Sequence, residues 1–334
     1  MQHPLLRVVI LLMAMAAARS SAGESPRSSK TPTKSGATSK PSEADDAGGI
    51  VRVAPQEVGD ANADFWGTLS EDDQAGAVRD LKSFGAKAAD QLKHPLRPHE
   101  SKFFLICSDL PDNEVGRYSL LLERMYGKLA TLFGIDKSRN VWRGKALVFL
   151  FARVEDYRLY ERLIEDSDPG GSFGMTHCFG DGMVHIAFYR SPIEAQFNHL
   201  LVHESVHGFL HRYRSPGRVP SWVNEGLADA LASELVPNPR RAKFVVGLAK
   251  AGLEQHQNSV GDFFAARHID GWQYPVAETL CDTMLRQNRH GYLNFIDGIK
   301  DGQDWKESLK KNLDTTPQKL LSEYGKSIGV KSLR

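Results

Sequence analysis

The sequence predicts an α+β protein in which a small mixed sheet with its helices is followed by a mostly helical half. Three observations carry this. Two short apolar runs, "FFLIC" at 103–107 and "ALVFLF" at 146–151, have the length and composition of buried strands. The segments around them repeat apolar residues every three or four positions, as helices with one buried face do. After Pro192 nearly every segment has that helical spacing. The chain has 334 residues, 41% hydrophobic and 25% charged, enough for a sizeable core.

Residues 1–22 read as a signal peptide: Arg7, an unbroken apolar run from Val8 to Ala18, then a small-residue cleavage site at Ser20-Ser21-Ala22. The run is shorter than the roughly 20 residues a bilayer span needs, which leaves an uncleaved anchor as the alternative. No other segment has the length to span a membrane. Residues 23–49 are Ser, Thr, Pro, Lys and Gly with almost no large apolar side chain, a flexible tether after export to the periplasm, cell surface or medium. Residues 50–334 form the expected domain, with an α/β part to 190 and a helical part from 191.

Within it, 69–94 carries Leu81, Phe84, Ala88 and Leu92 at helical spacing, opened by Ser70 with Asp73 as a cap. A strand at 102–109, a helix over 113–133, a strand at 145–152 and a helix over 154–164 follow. Two strand-like runs then flank "FGDG" at 179–182, which predicts a hairpin. Ser191-Pro192 with Glu194 starts a helix that runs to Tyr213, where "RSPGRVP" stops it. Another helix occupies 221–237, and four further amphipathic segments complete the chain. Lys and Arg (42) nearly balance Asp and Glu (41), and no basic stripe interleaved with aromatics appears, so nucleic acid is not an expected partner. Cys107, Cys178 and Cys281 allow at most one disulfide, and Cys107 in a strand and Cys281 in a helix read as buried free thiols.

The stretch "HLLVHESVHGFLHRY" at 199–213 sets His199, His203, His207 and His211 on one helix stripe. Adjacent pairs on such a stripe can chelate an ion. Three in a row cannot, since His203 and His211 lie about 12 Å apart along the axis while zinc–nitrogen bonds are about 2 Å. One pair alone has a carboxylate directly after its first histidine: His203-Glu204-Ser205-Val206-His207 fits H-E-x-x-H, in which the imidazoles bind zinc and the glutamate is the general base. A third ligand must come from elsewhere. Glu225 in "PSWVNEGLADA" lies 18 positions after His207, across a Pro- and Gly-rich turn and one turn into a new helix. Two imidazoles and one carboxylate leave the fourth position of a catalytic zinc open. Asn224 and Asp229 beside it are candidates to take the second N–H of the histidines. His199 and His211 read as packing or solvent-facing residues.

His203, Glu204, His207 and Glu225 in its Asn224 to Asp229 setting resemble the gluzincin branch of zinc metallopeptidases. The metzincin branch would need glycine at Leu210 and histidine at Tyr213. More widely the chain after the tether resembles exported bacterial peptidase-like domains of the peptidase MA-like group. The resemblance implies a zincin-like fold with the zinc cleft between its two parts, Zn2+ as the one cofactor per chain, peptide or protein substrates, and Asn224 and Asp229 buttressing the ligand histidines. It also implies an edge strand ahead of the zinc helix that pairs with substrate backbone, by position Met183 to Phe188 or its hairpin partner. Tyr274, in "YPVAETLCDTML", is similar to the oxyanion tyrosine of aminopeptidase-like members, with Tyr213 and His211 as rivals. The Gly-x-Met-Glu-Asn strand of aminopeptidases is absent, which favours endopeptidase action or an unusual substrate. His177 and His185 on the hairpin either reach the cleft or alternate outward with their apolar neighbours, the second being the preferred reading. The expected function is therefore zinc-dependent peptide hydrolysis, with a non-catalytic envelope or binding scaffold as the alternative.

Overall fold

The computed structural model describes residues 65–136, 138–256, 260–331 and 333. The expected signal peptide, tether and first residues of the domain lie outside them. Among the described residues no helix is long and apolar enough to cross a membrane.

The chain begins with α1 (Glu71–Leu92), β1 (Arg97–Glu100), β2 (Phe104–Ser108), α2 (Asp112–Leu132), β3 (Ala146–Phe151), α3 (Val154–Leu163), β4 (Gly174–Cys178) and β5 (Val184–Tyr189). It continues with α4 (Glu194–Arg212), α5 (Ser221–Leu235), α6 (Pro239–Gln255), α7 (Val260–Ala265), α8 (Gln273–Gln287), α9 (Arg289–Lys300), α10 (Trp305–Leu313) and α11 (Pro317–Ser327). The α+β reading holds. The Ser70 cap is present as a full capping box, Ser70 Oγ accepting from the Asp73 amide while the Asp73 carboxylate accepts from that of Ser70.

The sheet order is β1-β2-β3-β5-β4. Its three central strands run parallel and β1 and β4 pair antiparallel at the two edges. Alternate side chains of the central strands serve two cores. Phe104, Ile106, Val148, Leu150, Ile186 and Phe188 join the larger core with α2 and α4, which then continues through the helical half. Leu105, Cys107, Leu147, Phe149 and Phe151 face α1 and α3. The sheet is thus a layer between two pairs of helices, and its three central strands are mainly apolar because both of their faces are covered.

Three expectations are corrected and one alternative is decided. β1, "RPHE", was not foreseen: it is polar on both faces and carries Pro98, and only its pairing with β2 makes it a strand. Of the two strands considered for the edge, β5 is interior, paired with both β3 and β4, and the hairpin partner β4 is the outer one among the described residues. α4 starts at Glu194 with Ile193 in the cap position and no side-chain cap, because Ser191 Oγ instead accepts from the Ile193 amide. Among the described residues six helices follow α5 rather than four. All three cysteines are free as expected, with Cys107 and Cys281 buried, but Cys178 at the end of the edge strand is exposed.

Two glycines let α4 and α5 lie where they do. A Cβ on Gly208 would meet Val184 Cγ1 at 2.7 Å, so its absence lets α4 lie close on β5. A Cβ on Gly226 would meet the Ala277 carbonyl and, at 2.6 Å, Cys281 Sγ, so α5 packs on α8 through bare backbone right beside Glu225.

Candidate metal centre

His203 and His207 sit one turn apart in the middle of α4, and Glu225 lies one turn into α5. Packing of these two helices brings three ligand atoms together. His203 Nε2 and His207 Nε2 are 3.0 Å apart, and Glu225 Oε2 lies 3.3 Å from the first and 3.6 Å from the second. A tetrahedral ion with arms of 2.0–2.1 Å has ligand-to-ligand edges of about 3.3 Å, so the triangle has the size a zinc ion requires. Histidine, histidine and carboxylate also form the donor set of a zinc site with an open fourth position.

His203 is oriented from behind. Its Nδ1 donates to Asp229 Oδ1 at 3.0 Å, which turns Nε2 toward the triangle. Asp229 Oδ1 also accepts from His199 Nε2 at 3.1 Å. Burial opposes charge on Asp229, yet His203 and His199 hold its carboxyl well below the usual range. Behind it Arg241 forms a two-armed pair with Glu278, to which Ser233 also donates. Burial disfavours a charged His203, but Asp229 and Glu225 outweigh it and lift its pKa to about 10 when no cation lies between them. A divalent ion would take the place of that proton.

Glu204, 1% exposed, is fixed from the edge strand. The Thr176 hydroxyl of β4 lies 3.0 Å from Glu204 Oε2 and 2.7 Å from its carbonyl oxygen. The candidate base is therefore tied to the strand expected to hold substrate. Nothing in the spacing of "GMTHC" points to Thr176, because the bond joins residues 28 apart in different elements.

The other expected residues fall as follows. Asp229 bonds His203 as expected. Asn224 does not bond either imidazole: His203 Nδ1 is taken by Asp229, and His207 Nδ1 is buried without a partner among the described residues. His199 is a support to Asp229 rather than a ligand. Tyr274, in the first turn of α8, packs half-buried against the larger core and is not one of the residues of the triangle. Tyr213 donates to Asp297 Oδ1 at 2.7 Å. His177 and His185 do not alternate outward. They are cross-strand neighbours on the α3 side of the sheet, where His177 pairs with buried Glu161 and His185 with buried Glu165, each at 3.0 Å.

His211 donates Nε2–H to the Phe179 carbonyl at 3.1 Å and packs against Trp66. Burial pushes its pKa down to about 4. It therefore binds fewer protons folded than unfolded, and stability present above its unfolded pKa of about 6.5 is lost as pH falls toward 4. The loss amounts to roughly 3 kcal/mol at 1.36 kcal/mol per pKa unit. Urea melts of the wild type and His211→Gln at pH 7 and pH 4.5 should show a smaller acid loss in the variant.

No protein-family model matches the chain, and no curated protein matches it. The gluzincin resemblance therefore stands on the residues of this centre alone.

Proposed function

We propose that the chain is an exported zinc metallopeptidase with a zincin-like arrangement, hydrolysing peptide bonds in peptides or proteins. The observation that carries the reading is the convergence of His203 Nε2, His207 Nε2 and Glu225 Oε2 on one point, beside a buried carboxylate held to an exposed strand edge. Zinc, when bound by these three residues, supplies a Lewis acid that polarises the scissile carbonyl and eases deprotonation of water. Glu204 takes the proton as the water oxygen attacks the carbonyl carbon, then passes it to the amide nitrogen as the C–N bond breaks. Asp229 keeps His203 in the tautomer that presents Nε2. Thr176 limits the rotamers of Glu204, and the free edge of β4 offers backbone groups to an extended substrate.

Tyr274 is the proposed donor to the developing oxyanion. Tyr274→Phe should then lower kcat by about 10^2-fold with little change in KM, read by product formation under saturating peptide. The primary test is incubation of the zinc-loaded full chain with a mixed peptide library, with mass-spectrometric detection of new termini. Cleavage that stops with a chelator and returns with zinc supports the reading, and an uncut library overturns it.

A further inference from the structure

The end of α9 holds a second set of buried and ion-paired side chains, away from the ligand triangle. Residues 213–220 connect α4, which bears His203 and His207, to α5, which bears Glu225. Lys300 reaches this connection from 83 to 90 residues away. Its Nζ donates to Leu210 O at 2.7 Å and to Gly217 O at 2.8 Å. The first acceptor is one of the last-turn carbonyls of α4 that have no partner within the helix. The second lies in the turn that leads to α5. The Lys300 carbonyl in turn accepts from Ser215 Oγ.

Neighbouring residues grip the same segment. Tyr213 donates to Asp297, and Arg214 donates Nε and Nη2 to the two oxygens of Asp301 at 2.8 and 2.5 Å. Arg214 has φ +59°, a left-handed conformation disfavoured for a residue with a side chain, which persists where surrounding contacts over-determine it. Lys300 itself is 1% exposed and forms no ion pair among the described residues. Burial pushes its pKa down to about 7. Leaving an amine there is costly compared with a methionine or leucine of similar size. What it supplies, and an apolar side chain would not, is a fixed distance between two separate stretches of backbone.

We propose that Lys300 is a positioning residue for the metal centre: by tying the end of α4 to the turn before α5, it sets the separation between the His203–His207 pair and Glu225. The tie lies three residues from His207 and eight from Glu225. The ligand triangle has edges of 3.0 to 3.6 Å, so a shift of α5 by a fraction of an ångström at this hinge takes the third ligand out of range. This inference rests on the metal-centre reading.

The test uses the full chain. Zinc Kd, by competition with a chromophoric chelator, and hydrogen exchange of amides 213–220 would be measured for wild type, Lys300→Met, Asp301→Asn and Ser308→Ala. Ser308, in α10, is buried and donates to Phe295 O of α9 without touching the connection, so it controls for loss of stability. Lys300→Met should raise zinc Kd at least tenfold and speed exchange across 213–220, Asp301→Asn should raise Kd about threefold or more, and Ser308→Ala should stay within twofold. Lys300→Arg, which keeps a donor, should recover part of the loss. If Lys300→Met does not fold, Asp301→Asn decides, since that carboxylate is partly exposed. Zinc Kd within twofold of wild type in both variants overturns the proposal. A wild type that takes up no zinc overturns the metal reading instead; the exchange of 213–220 then decides the clamp separately, and unchanged exchange in both variants removes it.

Discussion

Glu204→Gln is expected to lower peptide hydrolysis by roughly 10^2- to 10^4-fold while leaving zinc content at one per chain, the range a positioned general base contributes. The substitution keeps the volume and the hydrogen bond from Thr176 but removes the site that accepts the proton of water. Because Glu204 is buried between α4 and β4 and is not one of the three ligand residues, a fall in activity cannot be assigned to metal loss. Turnover and metal content measured on the same preparation check it. Unchanged turnover in the variant would remove Glu204 from the reaction and overturn the general-base mechanism.

His207→Ala is expected to take zinc from one per chain to none at micromolar free zinc, by elemental analysis of protein purified without chelator. Two ligands remain in the variant, and neither supplies the tetrahedral edge that His207 Nε2 forms with His203 and Glu225. The wild type should also lose thermal stability when a chelator strips the ion. Ligand linkage gives about 4 kcal/mol where free zinc stands a thousandfold above Kd, and this difference should vanish in His207→Ala. A wild type that holds no zinc even after the metal is added back would end the proposed mechanism.

These two predictions use residues that were legible in the chain itself. His203, Glu204 and His207 are neighbours wherever the helix forms, because a four-residue step returns to the same face. The boundaries of α2, α3 and α5 were also readable from apolar spacing and flanking prolines. Thr176, His199 as a partner of Asp229, and the failure of Asn224 to bond an imidazole were not readable. Each depends on how one element lies against another, which periodicity does not encode. β1 was missed for the same reason, since a polar edge strand has no alternation to show and exists through β2.

By itself, then, the sequence determined an α+β order of elements, a histidine pair with a carboxylate on one helix, and a second carboxylate one turn into the next. Local geometry is enough for that, since a helix fixes its own side-chain spacing. Only the tertiary structure decided that Glu225 Oε2 comes within 3.3 and 3.6 Å of the two imidazoles, that β4 rather than β5 is the open edge, and that Asp229 serves His203. Those distances are set by close packing at Gly208 and Gly226 and by buried bonds such as those of Lys300, between residues far apart in the chain.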